Sequence, residues 1–442
     1  MIRSLLCAFA VVLASAARAQ DAMPPIAPPY YQVRYETSDK PGELKMPVTY
    51  TLWIPEGAKT LRGVIVHQHG CGKGSGKTGL TAAYDLHWQA LAQKWDCALL
   101  GPAYHQLTDS DCRNWCDPRN GSDRAFQQAL ADFAVQSKHP ELSSVPWCLW
   151  GHSGGGFWSS IMLTLHPERI AAIWFRSGSA FAVWQRGEIP AATPKPESYA
   201  VPIMFNGGVK EAEDKKHGPA RVGDRAMLAF WLEHGAPAGS APDPLTGHEC
   251  GDSRYLAIPF FDVCLKQRLP EAGSVDQTLR PVNREIAWYS VPGSGVAQAA
   301  GTFAGNKAEA HWLPDETFAK AWESYVKTGR PADTTPPPAP TEVLVTADGE
   351  LTWKVKTDFE SGLAGFIIRR DGKEITRVPE KPLTKYGTSL FQGLSHGDTP
   401  ATAAPSMRFV DSTAGSNEKH QYEVSALNAV GLESSASSAV KR

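Results

Sequence analysis

Residues Trp147–Ser160 read WCLWGHSGGGFWSS, a run of bulky apolar residues that breaks into glycines around Ser153 and then turns apolar again. The residues before the break read as a buried strand. Those after it, FWSSIMLTLHPERIAAI, carry apolar residues at helical spacing. Gly151-x-Ser153-x-Gly155 thus has the strand, sharp turn and helix that lift a serine clear of a sheet. Side chains at 151 and 155 would collide with neighbouring backbone in so tight a turn, and glycine removes the collision. An isolated match of this kind usually marks a small residue in a turn. The setting, together with partners downstream, makes Ser153 a candidate nucleophile, with the amide of Gly154 aimed at a bound carbonyl.

Outward from this turn the chain alternates. GVIVHQHG (63–70), CALLGPAY (97–104), AAIWFRSGS (171–179) and VPIMFNGG (201–208) read as further buried strands. Between the strands, AAYDLHWQALAQKW (82–95) and SDRAFQQALADFAVQS (122–137) repeat apolar residues at three and four, and LAIPFFDVCLKQRL (256–269) reads as the last helix on the sheet. The alternation predicts a doubly wound, mostly parallel sheet flanked by helices, and with the turn at Ser153 it resembles the α/β-hydrolase class.

A serine hydroxyl needs a base, and in an α/β-hydrolase that base is a histidine after the final strand and just before the last helix. TGHECGDSRYL places His248 there; His311 is the rival ahead of a helix, but it follows an irregular segment. The third member is expected on the loop after VPIMFNGG, where GGVKEAEDKKHG offers Glu211, Glu213 and Asp214. Glu211 is favoured as nearest the strand end and Asp214 is kept as the alternative, with Lys210 standing where the commoner Asp would align. Two backbone donors must face the oxyanion: Gly154 supplies one, and Cys71, in His69-Gly70-Cys71, the other.

His-Gly-Cys after its strand, the downstream DCRNWCD (111–117) and the later Gly-x-Ser-x-Gly together resemble the secreted polyhydroxybutyrate depolymerase and feruloyl or acetylxylan esterase group, over roughly residues 40–270. GHSGGG departs from the Leu-Ser-Ala form frequent in those depolymerases. The resemblance implies ester hydrolysis by a Ser–His–acid triad without a cofactor, and a disulfide from Cys71 to Cys112 or Cys116. Trp115, Trp158 and Trp184 are candidate walls for an aromatic or polymeric substrate, with core packing as the bland alternative.

The first residues, MIRSLLCAFAVVLASAARAQ, combine Arg3, a short apolar stretch and Ala17-Arg18-Ala19 before Gln20, the pattern of a secretory signal peptide too short to span a membrane. Its removal leaves Cys71, Cys97, Cys112, Cys116, Cys148, Cys250 and Cys264, an odd set, with Cys148 the candidate free thiol in an apolar strand. With Lys plus Arg at 44 against 46 acidic residues, no basic face is available for nucleic acid. GSGKT (74–78) lacks the glycine a phosphate-binding loop needs at position 71, and His67-x-His69 has no acidic partner at zinc-hydrolase spacing.

Beyond DETFAKAWESYVKTG (315–329) and the proline-rich RPADTTPPPAPTEV (330–343), the pattern changes to apolar–polar alternation between turns, as in an antiparallel β-sandwich. Trp353 and YEVSALNAVGLES (422–434) resemble a fibronectin type III domain, with a long segment at 379–405. The chain is thereby divided into a signal peptide (1–19), a catalytic domain (20–270), an irregular and helical extension (271–330), a linker (331–341) and a fibronectin type III-like sandwich (342–442). What is expected is a secreted serine ester hydrolase with an ester substrate, polymeric or polysaccharide-linked, and no integral membrane segment in the mature protein. The contrasting expectation is a catalytically inactive α/β-hydrolase scaffold serving in adhesion or glycan binding.

Overall fold

The computed structural model describes residues 26–72, 79–107, 111–272, 278–381, 391, 407–415 and 418–442. The signal-peptide reading, the GSGKT stretch and most of the 379–405 segment lie outside the described residues. Among the described residues, no helix is long and apolar enough to cross a membrane.

The centre is an eight-stranded sheet in the order β1-β2-β4-β3-β5-β6-β7-β8. Its strands are β1 (Tyr30–Tyr35), β2 (Val48–Trp53), β3 (Gly63–Gln68), β4 (Cys97–Tyr104), β5 (Trp147–His152), β6 (Ile170–Arg176), β7 (Ile203–Asn206) and β8 (Ala238–Ser240). From β4 to β8 all neighbours are parallel, whereas β1 and β2 join antiparallel at the edge. This mixed, mostly parallel sheet with helices on it fits the α/β-hydrolase arrangement. Strands β2 to β7 are buried at every residue, which is why β3 to β7 read as continuous apolar runs with no alternation.

One face of the sheet packs on α1 (Leu86–Lys94) and, further along the chain, α5 (Arg254–Arg268); the other packs on α2 (Ser122–Ser137), α3 (Gly154–Leu165) and α4 (Gly218–Glu233). Helix α1 begins later than its apolar pattern implies, because Asp85 caps it by accepting from the amides of His87 and Trp88. Arg254, at the start of α5, closes a two-pronged ion pair on that same buried carboxylate, at 3.0 and 2.7 Å.

The segment expected to be irregular and helical also holds short strands. It forms a three-stranded antiparallel sheet of β9 (Trp288–Ser290), β10 (Ala297–Ala299) and β11 (His311–Leu313), followed by α6 (Glu316–Thr328). Strands of three residues are too short to show a period of two, so pattern reading passes over them. Tyr289, Trp312, Phe318 and Trp322 carry this segment onto the α5 side of the core.

The C-terminal residues form two antiparallel sheets, β12-β13-β16 and β15-β14-β17-β18. Their strands are β12 (Thr341–Val345), β13 (Glu350–Lys354), β14 (Leu363–Arg370), β15 (Lys373–Val378), β16 (Arg408–Val410), β17 (Gln421–Asn428) and β18 (Val440–Lys441). Leu351 and Trp353 of one sheet share an apolar core with Phe366, Ile368, Tyr422 and Val424 of the other, as in a β-sandwich. The loop carrying Phe359 touches the larger sheet's layer: His87 Nε2 lies 2.8 Å from the Phe359 carbonyl oxygen, and Lys94 Nζ sits 4.3 Å from the Phe359 ring centre.

Candidate active site

Strand β5 runs into α3 through Ser153, whose backbone at φ 52, ψ −112 lies where a side chain is strained, at a cost of about 1–3 kcal/mol. The surroundings hold it there. The Ser153 amide donates to the Arg176 carbonyl of β6 at 2.8 Å. A Cβ on Gly151 would stand 2.5 Å from the Gly155 carbonyl oxygen, and one on Gly155 would strike the Gln68 carbonyl, so the two glycines let the strand, the turn and β3 approach so closely.

His248 lies on the loop ahead of α5, with its Nε2 2.9 Å from Ser153 Oγ. Its Nδ1 is 2.5 Å from Glu211 Oε1. A carboxylate can only accept, so Nδ1 carries the proton and donates to Glu211. Nε2 is then left with its lone pair toward the serine hydroxyl, which donates to it. Glu211 sits in the short turn Val209–Glu213 after β7 and is fully buried. The structure therefore brings Ser153, His248 and Glu211 into one chain of contacts.

It does not bring Asp214 there. The Asp214 carboxylate turns to its own neighbourhood, 2.7 Å from His217 Nδ1 and accepting from the Lys216 and His217 amides. Its hydrogen bond with His217, followed by those amides, lowers its pKa to about 2. Asp214, kept as the alternative acid, caps that turn, and among the described residues its carboxylate bonds to His217 and not to His248. Lys210 donates to the Leu245 carbonyl at 2.7 Å, and His311 lines a different cavity.

Sequence reasoning missed two features. The His217 ring stacks on His248 with centres 4.0 Å apart and planes 13° apart, so an imidazole bound to Asp214 lies flat against that of His248. The only hint in sequence is Asp214-x-x-His217 itself. Arg176, fully buried at the end of β6, donates to Thr246 Oγ1 at 2.8 Å, to Asn206 Oδ1 at 2.9 Å, and to the carbonyls of Gly247 and Glu249 on either side of His248. One guanidinium thus ties down the histidine loop, while the Asp85–Arg254 pair fixes the point where that loop enters α5.

The expected oxyanion donors, Cys71 and Gly154, lie near one another. Gly154 opens α3, so its amide is one of the helix's unpaired first-turn donors. A Cβ placed on Gly154 would be 3.3 Å from the Cys71 nitrogen and would collide with the Cys71 sulfur. Cys71 is disulfide-bonded to Cys112, 41 residues away, which pins the loop carrying the second amide. Among the described residues Cys97, Cys116, Cys148 and Cys264 are free thiols and buried, and burial pushes the Cys148 thiol well up.

A pocket of about 350 Å³ opens over Ser153, with Gly154, Phe157, Ala182, Val183 and Arg186 in its walls. The three tryptophans considered as walls are core instead. Trp115 stacks on Tyr104, Trp158 donates to Ser122 Oγ at 3.2 Å, and Trp184 packs on Phe181. For a metal, the buried trio His69, His152 and Cys250 brings its ligand atoms within 4.8 Å of one another, a donor set zinc accepts. One ring nitrogen of His152 is engaged, its Nε2 lying 2.7 Å from the His248 carbonyl oxygen.

No protein-family model matches the chain, and no curated protein matches it. Among solved structures it is similar to the poly(3-hydroxybutyrate) depolymerase LpqC from Bordetella parapertussis, at 16% identity and TM-score 0.39 over 55% of this chain and 91% of that one. It is also similar to poly(aspartic acid) hydrolase-1 from Sphingomonas sp. KT-1, at 15% identity and TM-score 0.37 over 50% and 94% of the two chains. A third likeness is to the acetyl xylan esterase from Aspergillus awamori, at 17% identity and TM-score 0.28 over 40% and 72%. These likenesses are too weak to carry a functional assignment, which falls to the geometry of the site.

Proposed function

We propose that the protein is a serine hydrolase of carboxylic esters, with Ser153 as nucleophile, His248 as general base and Glu211 as the acid that orients it. The observation that carries the reading is the continuous Ser153–His248–Glu211 chain, at 2.9 and 2.5 Å, opening into a pocket beside the Cys71 and Gly154 amides.

The chemistry follows from these positions. Ser153 Oγ bonds to the ester carbonyl carbon as its proton passes to His248 Nε2, and the carbonyl oxygen gathers negative charge facing the two amides. Collapse breaks the bond to the alcohol oxygen, which takes the proton from His248 and leaves an acyl-serine. Water, deprotonated by the same nitrogen, attacks the acyl carbon, releases the acid and restores Ser153. Glu211 keeps the imidazole in the right tautomer and offsets its positive charge; a carboxylate with no solvent exposure does this with little screening.

The N-terminal residues and the Cys71–Cys112 bridge support export to an oxidising compartment. The resemblance of the Cys71, Cys112 and Ser153 motifs supports a polyester or esterified plant polysaccharide as the source of the ester. The C-terminal sheets, with Trp353 and Tyr422 in one core, support a fibronectin type III-like module. The test is turnover of a short-chain p-nitrophenyl ester. Ser153→Ala is expected to reduce it by about 10³-fold or more, and a folded Ser153→Ala protein keeping over about a tenth of the activity overturns the reading.

A further inference from the structure

A second cavity, of about 760 Å³, shares no lining residue with the pocket over Ser153 and falls within the size range of small-molecule sites. Helix α4 forms one side, the ends of β7 and β8 the floor, and the β9–β11 segment with α6 the other side. Its walls are apolar, with Phe205, Leu228, Leu232, Trp322 and Val326 all facing it.

Two buried polar side chains line this apolar space. Asp224 is 5% exposed and His311 is 9% exposed. Neither oxygen of Asp224 makes a hydrogen bond of good geometry among the described residues, although Ser179 and the Gly178 amide lie nearby, and His311 Nδ1 is also unpartnered. Burial, with the Glu211 charge adding to it, pushes the Asp224 carboxyl up to about 8, and burial pushes the His311 ring down to about 4. At neutral pH the cavity therefore presents a carboxylic acid and a neutral imidazole, each able to donate or accept. At the rim, Arg221 and Arg225 are balanced by Glu233 and Glu309, so no net charge selects an ion. Arg221 is moreover already occupied by the carbonyls of Gly208 and Val209.

We propose that this cavity is a second ligand site, taking an uncharged molecule of the ester or alcohol class whose oxygen meets Asp224 and His311 and whose apolar body lies along Leu228 and Trp322. It goes beyond the proposed hydrolysis and stands whether or not Ser153 is the nucleophile. Apolar walls with a few convergent polar groups are what orient such a ligand. Leaving those groups unpaired has a desolvation cost that an oxygen-bearing ligand relieves.

The test uses the full-length Ser153→Ala chain, so that an ester is not consumed during titration. Hexanol and methyl hexanoate are the neutral probes and hexanoate the charged control. The readout is the indole N–H resonance of Trp322, which lines the cavity and donates to the Ser240 carbonyl at 2.9 Å; Trp322→Phe assigns it. The expected result is a saturable shift with at least one neutral probe, tighter than with hexanoate, the tighter neutral probe naming the ester or the alcohol as the natural source. Ala229→Phe, at an exposed α4 position lining the cavity, should weaken binding by about 10-fold or more. Asp224→Asn, which still donates and accepts, should stay within about 3-fold, whereas Asp224→Leu should lose about 10-fold. No saturable shift with either neutral probe, tighter binding of hexanoate, or binding unchanged by Ala229→Phe would each overturn the proposal.

Discussion

Glu211→Gln isolates the one member of the chain that composition alone could not choose. Glu211 Oε1 stands 2.5 Å from His248 Nδ1, and the carboxylate has no exposure, so a charge-assisted hydrogen bond acts there without water to screen it. Glutamine keeps the shape but removes the charge. If its carbonyl oxygen faces Nδ1, the tautomer survives while the imidazolium loses its counter-charge. If its amide faces Nδ1, the proton is driven to Nε2 and the base is lost. The equivalent change in a Ser–His–Asp protease lowers kcat by about 10⁴, so a loss of roughly 10³–10⁴-fold is expected here, or about 4–5.5 kcal/mol of transition-state stabilisation. Asp214→Asn is the internal comparison: it touches His217, whose ring is stacked on His248, and is 40% exposed, so its effect should stay below about 3-fold. The assay is kcat/KM on p-nitrophenyl butyrate, with thermal melts of both variants as the folding control. Glu211→Gln retaining more than about a tenth of the activity, or a larger loss in Asp214→Asn, would refute the reasoning.

The disulfide, the buried acid and the C-terminal sheets each give a further expectation. Cys112→Ser opens a closure across 41 residues, for which chain entropy assigns about 4 kcal/mol, and should lower kcat by about 10-fold with KM little changed, because the Cys71 amide is no longer held; an unchanged kcat speaks against that amide as an oxyanion donor. Asp224, raised from 3.8 to about 8 by burial first and the Glu211 charge next, against the Ser179 hydroxyl, the Gly178 amide and Arg176, keeps its proton in the fold when the unfolded chain has released it. Its contribution is therefore whole below pH 3.8, declines as pH rises to about 8, and is flat above that. Asp224→Asn should accordingly gain stability relative to wild type by a few kcal/mol between pH 5 and 8 in urea titrations, and parallel curves would contradict this. Truncation near Pro336 should leave hydrolysis of a small soluble ester within about 2-fold while lowering stability by a few kcal/mol, since the contacts given up include those of Phe359 with His87 and Lys94, the packing of Leu86 on the sandwich core, and the hydrogen bonds of Ser361 and Asn428 to Asp333; an equal loss on soluble and insoluble esters would show that the sandwich supports the catalytic fold.

How far the sequence carried depends on the range of the forces involved. The turn at Ser153 was legible because its constraint is local: backbone crowding forces glycine at 151 and 155 whatever lies elsewhere. The buried strands were legible because a strand covered on both faces has no choice but to be apolar throughout. His248 followed from chain order, since the helix after it, Arg254–Arg268, is unambiguous in its pattern. The acid was harder. Glu211, Glu213 and Asp214 share one tight turn, and only the phase of that turn, set by the Val209 amide on the Asp243 carbonyl and the Lys210 amide on the Thr246 carbonyl, decides which carboxylate points inward. Arg176 was invisible for the same kind of reason. In AAIWFRSGS it is one cation at a strand end, and its role comes from Asn206, Thr246, Gly247 and Glu249, distant in sequence and gathered by the sheet. Trp115, Trp158 and Trp184 show the converse: an aromatic near a catalytic motif is recruited by the core before it is available to a substrate, because burying its area stabilises the fold by more than a pocket wall could. Of the residues proposed to perform the chemistry, Ser153 was thus announced by local geometry and His248 by chain order, while Glu211 and those that aim the histidine, Arg176 on its loop and Asp85 with Arg254 at its exit, are singled out only once the long-range contacts have formed.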